Sequence, residues 1–376
     1  MNVKKILFIT GTRADYGKIK PLMTAVENDS NFELYVFVTG MHLSELHGNT
    51  YIEVQKDNWH NIYIDFGTAT HDDGMAQKLS CITGSLANYI RALHPDLTVV
   101  HGDRIEALSG VIAASLQNYR TAHLEGGEVS GTIDESIRHT ITKLSHEHFV
   151  SSEDAKNRVL KLGEEKDRIH VIGSPDIDIM MSNNLPSIDD VKKHYEIPFK
   201  DFFIAMLHPV TTNISSLQEK TRIFIDALKS SSRNGIIIYP NNDLGNQIIL
   251  SEYTALSKDK QFKLFPSIRF ECFLTLLKNS SFIIGNSSAG IREAGIYGIP
   301  AIDIGSRQEG RYDLSKLTNL QHVEFNKHDI LCAISKSEYF RRSSMVFGDG
   351  TSATKFMRVI KTENFWETPI QKKITY

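Results

Sequence analysis

Short runs of apolar residues recur along the chain, and each run ends abruptly in glycine or polar residues. The first run occupies residues 5–10, and it is followed by Gly11 and an amphipathic stretch at 19–27. Continuous apolar runs of this length are typical of central parallel strands, which are buried on both faces. Strands that alternate with helices in this way predict a doubly wound, parallel α/β sheet.

The same alternation continues to the end of the chain. In the first half it predicts strands at 32–39, 97–101, 121–124, 147–150 and 169–172, and helices at 74–93, 105–117, 134–145 and 155–162. In the second half it predicts strands at 202–207, 235–239, 262–265, 282–284 and 300–304, and a helix at 270–278. Between the halves the composition turns polar around Pro186, which favours a linker near 175–190.

The repeated alternation indicates two similar Rossmann-like α/β domains with a central cleft. A chain of 376 residues is long enough for two domains of ordinary size. We expect an N-terminal domain at 1–178 that carries the candidate carboxylates, and a second domain at 179–355. The last stretch, 356–376, is predicted to be helical and to cross back to the first domain.

Composition, charge and cysteine content restrict the classes of protein to which the chain can belong. With 41% hydrophobic and 23% charged residues the chain is typical of soluble globular proteins. A formal net charge of −3 leaves no basic stripe, which argues against nucleic acid as a partner. Cys81, Cys272 and Cys332 are odd in number and lack CxxC spacing, so we expect buried thiols in a reducing cytosol. No segment approaches the roughly 20 apolar residues of a membrane span, so a cytoplasmic protein is expected.

Carboxylates follow two successive predicted strands and begin the next helix. Asp103 comes after the strand at 97–101, Glu125 comes after the strand at 121–124, and Asp134 begins the following helix. Ligands bind at the carboxyl ends of strands in open α/β sheets, where grouped carboxylates can have pKa values driven apart for acid/base chemistry. Each acid alone could equally cap a helix or form a surface ion pair. Three in succession favour function.

The second half carries a candidate phosphate site. Residues 286–290 read Asn-Ser-Ser-Ala-Gly at a strand-to-helix turn, where free N–H groups can bind phosphate and Arg307 can add a bidentate contact. Ser287 or Ser288 could instead be an ordinary N-cap. Glu293 more plausibly accepts hydrogen bonds from ribose hydroxyls than contacts phosphate. His208 could carry a proton, bind diphosphate or be structural.

The turn after the first strand offers two further cations. Residues 11–18 do not match GxGxxG, so a dinucleotide fingerprint is absent. Arg13 and Lys18 could hold phosphate, although Lys18 could simply be solvated at the surface. A nucleoside diphosphate held by one half, with carboxylates presented by the other, indicates a nucleotide-sugar enzyme.

Taken together, these motifs resemble the UDP-N-acetylglucosamine 2-epimerases, and specifically the hydrolysing branch that serves sialic acid synthesis. The resemblance runs over nearly the whole chain, through the motifs at 11–15, 101–104, 123–128, 131–139, 208–212, 239–241, 285–288 and 305–308. It implies a glycosyltransferase-B-like fold without a nicotinamide cofactor or a required metal. It also implies a homodimer or a higher homo-oligomer.

The resemblance implies that UDP-N-acetylglucosamine and water are converted into N-acetylmannosamine and UDP through 2-acetamidoglucal. Asp103, Glu125 and Asp134 are then the expected catalytic carboxylates, with His208 beside the diphosphate, and at least one carboxylate should have a raised pKa. The positions expected to bind UDP or the sugar are Arg13, Lys18, Arg104, Arg138, His208, Asn241, Ile268, Ser287, Ser288, Glu293 and Arg307.

Other functions are compatible with the same motifs. The non-hydrolysing branch carries a Gln-His-Arg-Glu type segment that helps bind a second, activating UDP-sugar, where this chain has Met-His-Leu-Ser at 41–44. Close relatives act instead on UDP-2,4-diacetamido-2,4,6-trideoxyglucose in the legionaminic acid pathway. A retaining glycosyltransferase and a non-catalytic UDP-sugar binding protein are alternatives of another class.

Overall fold

The chain divides into two units, each built around its own parallel sheet. In a computed structural model, the described residues are 3–45, 48–68, 74–129, 133–182, 184–210, 214–240, 245–309 and 316–373. The first unit consists of Met1–Met181 together with Phe347–Tyr376, and the second consists of Ser182–Val346. Residues 347–355, which the sequence analysis assigned to the second domain, therefore lie in the first unit.

The first unit contains a parallel sheet of seven strands among the described residues. They are β1 (Lys4–Thr10), β2 (Phe32–Val38), β3 (Ile62–Ile64), β4 (Leu97–His101), β5 (Thr121–Leu124), β6 (Glu147–Val150) and β7 (Ile169–Val171). The spatial order is β3-β2-β1-β4-β5-β6-β7, and Phe8 of β1 pairs with both Val36 and Val99. The order reverses between β1 and β4, which is the switch point where doubly wound sheets bind ligands.

The second unit contains a parallel sheet of six strands in its described part. They are β8 (Phe203–Met206), β9 (Gly235–Ile238), β10 (Phe262–Phe265), β11 (Ile283–Gly285), β12 (Ala301–Ile304) and β13 (Leu320–Val323). The order is β10-β9-β8-β11-β12-β13. The strand order therefore reverses again, here between β8 and β11. The predicted fold class, two doubly wound α/β domains, is confirmed.

Helices connect the strands of both sheets. In chain order they are α1 (Arg13–Glu27), α2 (Tyr51–Lys56), α3 (Met75–Leu93), α4 (Ile105–Ser115), α5 (Ile133–Leu144), α6 (Glu153–Lys161), α7 (Asp176–Met181), α8 (Ile188–His194), α9 (Leu217–Ser230), α10 (Asn246–Tyr253), α11 (Phe270–Lys278), α12 (Glu293–Ile296), α13 (Lys327–Lys336), α14 (Ser352–Ile360) and α15 (Glu363–Trp366). Among the described residues, no helix is both long and apolar enough to cross a membrane.

Alternate residues of β1 pack on opposite faces of the first sheet, as the two-residue period of a strand requires. Ile6 and Phe8 belong to the hydrophobic cluster that includes α1 and α14. Leu7 and Ile9 belong to the cluster that includes α3, α4 and α5. The C-terminal helix α14 completes the first face, because the ring centroid of Phe356 lies 4.8 Å from that of Phe149.

The expectation of buried thiols is wrong. Cys81 is exposed, and Cys272 and Cys332 are only partly buried. Cys81 lies on α3, whose buried residues are Ile82, Leu86 and Ile90. Its neighbours in the sequence therefore take the inward face of the helix.

Candidate active site

Asp103 lies in the turn after β4 and forms an ion pair with Arg138 of α5. Arg138 is 6% exposed, and its Nη1 also donates to the backbone oxygen of Glu128 at 2.8 Å. One guanidinium thus connects the turn after β4 to the turn after β5. Asp134 is the second residue of the same helix, one turn before Arg138, and is partly buried. The motif residues 130–132 lie outside the described residues.

Glu125 follows β5 directly and is buried in a left-handed backbone conformation, with φ of +59°. That conformation costs a residue with a side chain about 1–2 kcal/mol, so its surroundings must enforce it. Ser174 Oγ donates to Glu125 Oε1. The other oxygen, Oε2, lies 3.3 Å from His101 Nε2 and 3.8 Å from Lys18 Nζ. A strained carboxylate with several polar neighbours is typical of functional sites.

Lys18 of α1 lies between two carboxylates. Its Nζ is 3.3 Å from Asp176 Oδ2, closer than to Glu125, and its side chain is 19% exposed. The alternative that Lys18 is merely solvated at the surface is therefore wrong. A contact between Lys18 and phosphate stays a prediction.

Two further candidate arginines of the first unit also have carboxylate neighbours. Arg13 Nε lies 2.9 Å from Glu53 Oε2. Arg104 Nε lies 3.5 Å from Glu106 Oε2, and its Nη2 lies 3.0 Å from Met41 Sδ. Roles for these arginines in binding UDP stay predictions.

Glu106 is a buried acid that the sequence analysis missed. A Cβ on Gly11 would lie 2.4 Å from Glu106 Cγ, and a Cβ on Gly40, whose φ is +63°, would lie 2.3 Å from Glu106 Oε1. The two turns at the ends of β1 and β2 therefore need glycine because the Glu106 side chain fills the space beside them. Burial raises the pKa of Glu106, and the nearby Arg104 only partly opposes this. The raised pKa expected among the three candidate carboxylates stays a prediction.

His123, within β5, is a neutral residue that supports the turn before Asp103. Burial lowers the pKa of His123 to about 3. Its Nε2 lies 2.8 Å from the backbone oxygen of Gly102, and its Nδ1 lies 3.0 Å from Thr142 Oγ1. Because a carbonyl can only accept, Nε2 carries the proton and donates to Gly102. This bond holds the turn that presents Asp103.

In the second unit, Asn286 connects the ends of three strands. Its Oδ1 accepts from the backbone N–H of His208 at 2.7 Å, and its Nδ2 donates to the backbone oxygen of His208 at 2.9 Å. The backbone oxygen of Asn286 accepts from Arg307 Nη1 at 3.1 Å and from Gln308 Nε2 at 2.7 Å. His208 and Arg307, which were predicted from separate motifs, therefore both form hydrogen bonds with Asn286.

The predicted phosphate turn begins at Gly285, which has a φ of +132° and leaves no room for a Cβ, since it would lie 2.0 Å from the Met206 oxygen. Ser287 Oγ accepts from the Ala289 N–H at 3.3 Å, so Ser287 is an N-cap. Ser288 begins a 3₁₀ helix of only three residues, and the buried Glu293 begins the four-residue α12. The predicted strand-to-helix turn therefore leads into two short helical segments, and little helix dipole is available.

The two remaining predicted positions of the second unit are Ile268 and Asn241. Ile268 follows β10 and is partly buried. Asn241 lies outside the described residues, as do Thr211 and Thr212 of the His208 motif.

One group of side chains among the described residues has ligand atoms close enough for a metal ion. Glu309, His322 and Glu324 place these atoms within 4.8 Å of one another, and all three residues are exposed. His322 Nδ1 lies 2.9 Å from Asp303 Oδ2, so the group already forms an ordinary network of histidine and carboxylates. The absence of a required metal stays an expectation.

Sequence reasoning missed four residues of the first-unit site: His101, Glu106, Ser174 and Asp176. His101 and Ser174 stand at predicted strand ends, so the rule that selected Asp103 and Glu125 could also have selected them. Glu106 and Asp176 gave no such signal. They lie in first turns of helices, where an acid is ordinarily a cap or a solvated charge.

The ion pair between Arg138 and Asp103 should contribute measurably to stability. Arg138→Ala is expected to lower the free energy of unfolding by about 1–3 kcal/mol, because it leaves Asp103 and the Glu128 oxygen without this partner. Urea unfolding would measure the loss. In a cycle with Asp103→Ala, the double variant should lose less than the sum of the single variants.

Lys355→Ala provides the control for this cycle, because Lys355 forms a half-exposed pair with Asp349. Its effect should stay within about 0.5 kcal/mol. Additive losses in the Arg138 and Asp103 cycle would contradict the coupling.

The chain is similar to known proteins over most of its length. The family model for UDP-N-acetylglucosamine 2-epimerase matches residues 24–361. The chain is 42% identical to a UDP-N-acetylglucosamine 2-epimerase of Neisseria meningitidis serogroup B, over 99% of this chain and 98% of that protein. It is 31% identical to a hydrolysing UDP-N,N'-diacetylbacillosamine 2-epimerase of Legionella pneumophila, over 96% of each chain.

A further sequence relative and a solved structure are also similar to this chain. The chain is 34% identical to polysialic acid biosynthesis protein P7 of Escherichia coli, over 82% of this chain and 80% of that protein. A crystal structure of UDP-GlcNAc 2-epimerase from Neisseria meningitidis bound to UDP-GlcNAc shares the fold, with a TM-score of 0.79 and 19% identity over 95% of this chain and 99% of that chain. The chain belongs to the UDP-N-acetylglucosamine 2-epimerase family.

Proposed function

We propose that this protein is a hydrolysing UDP-N-acetylglucosamine 2-epimerase, which converts UDP-N-acetylglucosamine and water into N-acetylmannosamine and UDP for sialic acid synthesis. The observation that carries the proposal is the buried Glu125, held in a strained conformation at the strand end next to the turn of Asp103. The relatives of this chain, including the polysialic acid protein, support the substrate class and the pathway.

The proposed reaction has two steps. In the first, a carboxylate takes the C2 proton while the C1–O bond breaks and UDP departs, which leaves 2-acetamidoglucal. In the second, the oxygen of water bonds to C1 as a carboxylate takes one of the water protons, and a protonated group of the acid/base set delivers a proton to C2 from the opposite face. Asp103, Glu125 and Asp134 form the proposed acid/base set. The pairing of Asp103 with Arg138 and of Glu125 with several donors supports roles that differ between the two.

The departing UDP needs positive or hydrogen-bonding groups. We assign this role in the second unit to Arg307, His208, Ser287 and Ser288, and in the first unit to Arg13 and Arg104. Glu293 is proposed instead to accept hydrogen bonds from the ribose hydroxyls. The contacts that join His208 and Arg307 through Asn286 support a common site. Ser287, already an N-cap, would contribute through its neighbouring N–H groups.

The segment after β2 favours the hydrolysing branch over the non-hydrolysing one. His42 is fully buried, with its ring nitrogens 3.0 Å from Thr10 Oγ1 and 2.8 Å from Thr50 Oγ1. Burial lowers the pKa of His42, so its imidazole is held neutral. Both branches carry a histidine at this position, so the support for the hydrolysing branch comes from the residues beside it: Met41, Leu43 and Ser44 stand where the non-hydrolysing branch has Gln, Arg and Glu.

Removing either principal carboxylate should stop catalysis but not UDP binding. Glu125→Gln and Asp103→Asn keep the side-chain size and remove the base, so turnover should fall by at least about 100-fold. UDP release would be followed with a coupled assay and UDP affinity by calorimetry. Glu153→Gln, an exposed change in the first turn of α6, is the matched control and should retain full activity. Turnover of either active-site variant at the control rate would refute the assignment.

The elimination route predicts isotope uptake from solvent. In deuterium oxide the N-acetylmannosamine formed should carry deuterium at C2, because the proton delivered there comes from a group that exchanges with solvent. Proton NMR of the product measures this directly. Product that retains hydrogen at C2 would exclude the route.

The alternative substrate is UDP-2,4-diacetamido-2,4,6-trideoxyglucose, and the Legionella relative favours this alternative. Assays of UDP release with the two UDP-sugars side by side would separate the two functions. We expect the higher kcat/KM with UDP-N-acetylglucosamine, in line with the higher identity to the Neisseria relative. A preference for the diacetamido sugar would indicate that the protein acts in the legionaminic acid pathway. UDP binding without turnover of either sugar would indicate a binding protein.

A further inference from the structure

His101 is placed beside Glu125 by the sheet itself. It is the last residue of β4 and pairs in register with Leu124, the residue before Glu125. Neighbouring parallel strands therefore bring the two side chains to the same end of the sheet. The His101 side chain is 9% exposed, and its Nε2 lies 3.3 Å from Glu125 Oε2.

The ring nitrogen that faces Glu125 is buried but not aligned for a hydrogen bond. Among the described residues, His101 Nε2 has no partner that meets the geometry of a hydrogen bond. A buried polar atom in this state needs a physical explanation, because leaving it unpaired costs free energy. Catalytic hydrogen bonds are often long or poorly aligned before the substrate binds and tighten in the complex.

Three neighbouring groups of this site already make other contacts. Ser174 donates to the opposite oxygen, Oε1. Lys18 is 3.8 Å from Oε2 but closer to Asp176, so its charge is shared between two carboxylates. His123 on β5 is neutral and uses both ring nitrogens on Gly102 and Thr142.

We infer that His101 is a positioning residue for Glu125: its Nε2–H donates to Oε2 in the substrate complex and holds the carboxylate for proton transfer at C2. This inference rests on the proposed epimerase function and adds a residue to it. The hydrogen bond stabilises the ionised carboxylate, which is the form that acts as a base. Asp103 does not share this partner, because it pairs with Arg138.

Two substitutions of His101 separate the hydrogen bond from simple packing. His101→Leu fills the space without a donor, whereas His101→Gln keeps an N–H near the same position. In His101→Leu, kcat should fall about 10–100-fold with KM changed less than about threefold, because the interaction matters in the transition state. His101→Gln should recover most of the lost kcat. His60→Gln, at a surface histidine whose side chain is 85% exposed, is the matched control.

The pH profile gives a readout that a purely structural role would not change. Without the donor, the ionised form of Glu125 loses stabilisation, its pKa rises, and the acidic limb of kcat/KM should move to higher pH in His101→Leu. Lys18 and Asp176, which also face this cluster, are unchanged in all variants. Thermal unfolding and UDP affinity, measured on each variant, should match the wild type.

The outcomes are distinct. A His101→Leu variant with wild-type kcat and an unshifted acidic limb would overturn the inference, and so would equal losses in both His101 variants with the limb unchanged. Failure of the wild-type enzyme to turn over either UDP-sugar would instead overturn the proposed function before any variant is compared. A selective loss in His101→Leu, recovered in His101→Gln and accompanied by the shifted limb, would support His101 as the residue that positions Glu125.

Discussion

The candidate site of the first unit is organised around one buried carboxylate, whose negative charge must be stabilised by neighbouring groups. Glu125 is buried at the end of β5 in a left-handed conformation, and an uncompensated charge there would be costly. The compensation comes from α1 through Lys18 and from the segment after β7 through Ser174, and His101 at the end of β4 lies beside the same carboxylate. Elements far apart in the sequence are thus required at one point, which a doubly wound sheet provides at its carboxyl edge.

Close packing sets the turns around this point. The buried Glu106 occupies the space in which side chains at Gly11 and Gly40 would lie, so two strand ends approach a helix start closely. In the second unit, Gly285 allows the equivalent approach of β11 to the Met206 oxygen, and Asn286 then holds the ends of β8 and β12. Both units therefore use small residues to let backbone groups converge where ligands are expected.

Much of the fold was predictable because apolar runs and strands coincide. The strands at 97–101, 121–124, 147–150 and 262–265 agree residue for residue with the structure. The apolar pattern did not predict β3 and β13. Both strands lie at sheet edges and are less completely buried, so their apolar pattern is weaker. The turn predicted to lead from β11 into a helix leads first into a three-residue 3₁₀ helix and then into the four-residue α12, because the small polar residues of that turn carry no information on helix length.

The sequence by itself determined the fold class, the family and the acids at the strand ends, since apolar periodicity and motifs are local properties of the chain. Only the tertiary structure decided which groups face one another: Arg138 with Asp103, and His101, Lys18 and Ser174 around Glu125. It also showed that Lys18 is enclosed and that His42 is interior. These facts depend on strand register and on packing across tens of residues, and neither can be obtained from the order of residues alone.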